Sequence, residues 1–121
     1  MTYDSVKDVE SKLAPGVSFR VARMSFARRM ELMRQVRELA RRMEFLEAGK
    51  EPGEKMDAAL IQAEIDRVYL MWGLREVVGL EVDGHAATPA VLMESGPEDL
   101  LREALAAVKC ETGLSVAERK N

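Results

Sequence analysis

One cysteine, one histidine and 5% aromatic residues are all that this 121-residue chain offers of the side chains that most often carry chemistry. The single thiol, Cys110, excludes an intrachain disulfide, and with only His85 beside it there is no ligand set for a structural zinc ion. With so few rings, the core must rest on Leu, Val, Ile, Ala and Met. No apolar run approaches the roughly eighteen residues needed to cross a bilayer. The first residues alternate charge with small apolar groups, unlike a secretory leader, so the expected location is cytoplasmic and no membrane partner is expected. The glycines stand singly at turns, which leaves neither a phosphate-binding loop nor a nucleophile elbow.

What is present describes one globular domain, residues 1–121. At 13.5 kDa, 47% hydrophobic and 32% charged, the chain has enough apolar content to fold and enough length for one core. Its charge is unevenly spread. Residues 20–50 carry nine basic and four acidic side chains, whereas residues 51–121 carry seven basic and fourteen acidic ones, within a net charge of −3. A basic segment tied to an acidic remainder can pair internally, bind an acidic partner or face nucleic acid.

The basic segment reads as a helix. Ser25 is a suitable N-cap, and Leu32, Val36, Leu39, Met43 and Leu46 recur at steps of four and three, with Phe26, Met30, Met33 and Ala40 widening the stripe. Gly49 is placed to end it in a left-handed conformation. At about 100° per residue, Arg34, Arg37 and Arg41 share one flank. After a turn at Lys50–Gly53, Ile61, Ile65, Val68 and Trp72 mark a second helix over about 54–77, and the short connection favours an antiparallel hairpin. Trp72 is expected to be largely buried. Gly73 interrupts the second helix, where it bends it, ends it early or admits a close neighbour.

Strand signals are sparse. Val17–Val21 alternates apolar and polar residues, and Leu80–Val82 precedes an Asp83-Gly84 turn. These two segments are expected to share one small sheet, while Ser5–Leu13 suits one or two helical turns. Thr88-Pro89 starts a short helix. Pro97 opens another, closed by Gly113, and Ser115–Glu118 has the form of a capping box. The fold class is therefore mainly α: a long antiparallel helical hairpin, a minimal two-stranded β element and short C-terminal helices.

None of the polar groupings forms a recognisable reaction centre. His85 has no partnered nucleophile, and Cys110 reads as a half-buried structural thiol. Glu64 and Asp66 fall about 200° apart on a helix, too far around it to share an ion. The arginine flank could meet phosphates, but an acidic chain with no aromatics interleaved among the arginines favours ion pairing within the chain or across an interface. Eight Met residues suit core filling, and equally a surface that repacks around a partner. No catalytic, cofactor-binding or metal-binding residue is expected.

Three stretches, Arg23-Met-Ser-Phe-Ala-Arg-Arg29, Trp72-Gly-Leu followed by Gly79-Leu-Glu-Val-Asp-Gly84, and Gly113-Leu-Ser-Val-Ala-Glu-Arg-Lys-Asn121, resemble small proteins encoded among the tail genes of phages and prophages, the tail assembly chaperone type included. That resemblance implies a non-enzymatic protein that keeps a tape-measure or tail-tube component soluble before assembly. On this reading Met30, Met33, Arg34, Arg37 and Arg41 bind the partner, with the Met residues reachable in the free chain or covered by a second copy, so a homo-oligomer is expected. Two alternatives remain: a small nucleic-acid-binding or regulatory protein using the same arginines, and a structural subunit of the tail.

Overall fold

In the computed structural model, residues 1–49 and 51–113 are described. Their elements run β1 (Val6–Glu10), β2 (Ser18–Ala22), α1 (Phe26–Glu47), α2 (Pro52–Gly73), β3 (Leu74–Val78), β4 (Glu81–Val82), β5 (His85–Ala86), α3 (Pro89–Ser95) and α4 (Glu98–Thr112). The chain is mainly α, with small antiparallel sheets. The described residues divide into two compact units: residues 1–24 with 69–113, and residues 25–68.

The first unit is built on a three-stranded antiparallel sheet in the order β1-β2-β3. Phe19 and Val21 on β2 and Leu74 and Val77 on β3 are buried. α4 packs on β2 and β3, with Leu100, Ala104 and Val108 buried, and α3 adds Leu92. The opposite face is charged. Arg20 stands between its register partners Asp8 and Glu76, with its guanidinium 3.1 Å from Asp8 and 3.3 Å from Glu76.

The sheet departs from the sequence reading in three places. Ser5–Leu13 is not helical: Val6–Glu10 is an edge strand whose Lys7, Asp8 and Glu10 are the charges that guard such an edge. The second helix ends at Gly73, and Leu74–Val78 is a strand. A β-bulge between Arg20 and Val21 gives β3 an extra residue, so Leu74 and Val77, three apart, are both buried. That spacing copies a helix stripe. Finally, Leu80–Val82 does not pair with β2. Glu81–Val82 forms a separate hairpin with His85–Ala86, across a turn with positive φ at both Asp83 (53°) and Gly84 (81°).

Local helix signals hold at several ends. Ser25 Oγ accepts a hydrogen bond from the Arg28 amide, and Thr88 Oγ1 accepts one from Val91. Gly113 closes α4 in the left-handed conformation, with φ of 67°. Gly49 does not do the same for α1, which ends at Ala48 in right-handed geometry. A side chain at 49 would instead collide with the Glu54 carboxylate. The capping-box reading of Ser115–Glu118, like Lys50 of the expected turn, lies outside the described residues.

A second side-chain tie fixes the β1–β2 turn to α4. Ser11 Oγ donates to Glu103 Oε1 at 2.5 Å, and the Lys12 amide donates to Oε2 at 2.7 Å. The same Ser11 oxygen accepts from the Leu13 and Ala14 amides, so one hydroxyl orders the turn and links it to the helix. The Ser11 bond holds the Glu103 carboxyl below the usual glutamate value.

Candidate protein-binding surface

The residues of interest lie in the second unit, on α1 and the first part of α2. α1 buries Leu32, Val36, Ala40 and Met43, which fall within an arc of about 80° when the helix is wound at 100° per residue. Phe26, Met30, Arg34, Arg37, Arg41 and Phe45 occupy a separate arc of about 100°. All six are exposed. Phe26 is 83% exposed, Met30 60%, and Met33, at the edge of that arc, 45%. The helix therefore turns one apolar stripe inward and keeps a second apolar surface, threaded with arginine, in water.

Leaving Phe26, Met30 and Phe45 exposed on one helix face forgoes their burial, which for each would be worth about 1.5–3 kcal/mol. A scattered exposed Leu needs no explanation, but aromatic and Met side chains collected on one face do. Met is also the side chain best able to reshape itself against different partners.

The arginines are only partly engaged. Arg34 pairs with Glu31, one turn back on the same helix, and Gln35 also donates to Glu31. Among the described residues, neither Arg37 nor Arg41 takes part in an ion pair. Internal pairing thus accounts for one of the three guanidinium groups and leaves two facing solvent.

Near the end of α1, a groove of about 570 Å³ opens between the two helices. Arg41, Arg42, Phe45 and Leu46 line it from α1, and Asp57, Leu60, Ile61 and Glu64 from α2. Ile61 is buried, whereas Phe45 and Leu60 are exposed. Of these two, Phe45 was not singled out in the sequence, whereas Leu60 reads there as widening the apolar stripe of the second helix. Phe45 sits off the four-and-three spacing of the buried stripe, and that offset was the available signal.

The remaining candidates lie elsewhere. His85 is exposed on β5, and Cys110 is exposed on α4 rather than half-buried. Trp72 is half-buried, and the fully buried aromatic of α2 is Tyr69, with Lys109 Nζ 5.5 Å from its ring centroid. Among the described residues no group of three His, Cys, Asp or Glu side chains is placed to hold a metal ion, and no helix is long and apolar enough to cross a membrane.

The chain matches no protein-family model, no curated protein and no solved structure.

Proposed function

We propose that the protein is a non-enzymatic binding protein of the tail assembly chaperone kind, acting in the cytoplasm of a phage-bearing cell. α1 and α2 would act as an antiparallel helical hairpin that presents the outer face of α1 to an apolar segment of a tape-measure or tail-tube component. Met30, Met33 and Phe26 would cover that segment, and Arg37 would steer an acidic surface around it. The observation that carries this reading is the exposure of Phe26, Met30 and Met33 on the same helix as guanidinium groups without an ion-pair partner among the described residues.

The arginines distinguish this function from nucleic-acid binding. Replacing Arg34, Arg37 and Arg41 together by Gln leaves any weak DNA or RNA binding unchanged on the protein-binding reading. Phosphate contact by these residues would instead reduce affinity steeply and make the salt slope shallower by about two to three units.

A further inference from the structure

We infer that the groove between α1 and α2 is a self-association surface, and that its occupant is a second copy of this chain related by a two-fold axis parallel to the groove. This does not depend on the tail-assembly reading. The groove has a basic wall, Arg41 and Arg42 on α1, and an acidic wall, Asp57 and Glu64 on α2. Among the described residues, none of the four takes part in an ion pair. The walls are opposite in sign, face the same opening and leave each other unpaired.

A partner that fits must place acid over Arg41 and Arg42 and base over Asp57 and Glu64, with apolar atoms between. A uniformly acidic helix or a nucleic acid would be repelled by the second wall. The chain's own groove has the required pattern. Rotating a second copy by 180° about an axis along the groove sets its α1 over the first copy's α2, and its α2 over the first copy's α1. Arg41 and Arg42 of each copy then face the acidic wall of the other, and all neighbouring helices run antiparallel. Phe45, 78% exposed, and Leu60, 63% exposed, come together at the centre. Rotation about the perpendicular axis in the same plane would set arginine against arginine and carboxylate against carboxylate.

Charge exchange on the full-length protein tests the arrangement, with mass read by analytical ultracentrifugation at micromolar concentration. Wild type should sediment as a dimer. Arg41→Glu/Arg42→Glu and Asp57→Lys/Glu64→Lys should each sediment as monomers, and their equimolar mixture should regain the dimer mass. Recovery in the mixture also establishes that both variants are folded. If either variant loses its helical circular dichroism, Phe45→Ser/Leu60→Ser, which alters only exposed side chains, replaces it and should be monomeric. A monomeric wild type, a dimer that survives either one-wall exchange or the serine pair, or folded variants whose mixture stays monomeric would overturn the inference.

Discussion

Gly73, the last residue of α2, lies so close to Val108 of α4 that a β-carbon added at position 73 would stand 2.5 Å from Val108 Cγ1. Val108 is fully buried, so it has little room to retreat. Helix propensity alone favours Ala over Gly by about 1 kcal/mol, whereas overpacking a core costs about 1–3 kcal/mol. Gly73→Ala should therefore destabilise the protein in urea denaturation. In a Val108→Ala background the same change should cost less or stabilise. Equal effects in the two backgrounds would show that the contact does not limit packing.

Glu103 makes stability depend on pH in a defined direction. Its carboxyl is lowered first by the Ser11 hydrogen bond and also by the Lys12 amide, so folding favours the charged form. A depressed carboxyl contributes fully above its unfolded value, about 4.3, and the contribution disappears as pH falls through the lower native value. Glu103→Gln should thus be less stable at neutral pH by about 1 kcal/mol, below the range for a buried charge-assisted bond because solvent screens this one. The gap between variant and wild type should close in acid. Thermal melts at pH 7 and pH 3 measure both arms.

The aromatic anchor of α2 is Tyr69 rather than Trp72. Tyr69 is fully buried and Trp72 half-buried. Tyr69→Ala should cost about 3–5 kcal/mol, the range for deleting a buried aromatic side chain. Trp72→Ala should cost clearly less. Chemical denaturation of the two variants checks the order, and the reverse order would contradict this account of the core.

What was legible in the sequence was local. Ser25, Thr88-Pro89 and Asp83-Gly84 specify caps and a turn through bonds to their nearest neighbours, and the structure places each where its chemistry indicates. β2 was legible because Phe19 and Val21 alternate cleanly with polar residues. β1 and β3 were not, because their identity depends on strands distant in sequence. The bulge that puts Leu74 and Val77 on one face exists only in the pairing with β2, and by itself their spacing continues the helix. Burial was ambiguous for a related reason. Helical periodicity identifies apolar positions, but Phe26, Met30 and Leu32 are equally apolar and only Leu32 is covered.

Co-expression with a phage tape-measure protein, the class of partner proposed for α1, tests the central claim most directly, by the fraction of that partner recovered soluble. Met30 and Met33 are exposed, so Met30→Glu/Met33→Glu should leave the melting temperature of the free protein nearly unchanged. Wild type should keep the partner soluble and bound, and the double variant should lose it to the pellet, because docking would strip water from two carboxylates. Equal recovery with both forms, or no gain in solubility with wild type, would contradict a binding role for the exposed face of α1.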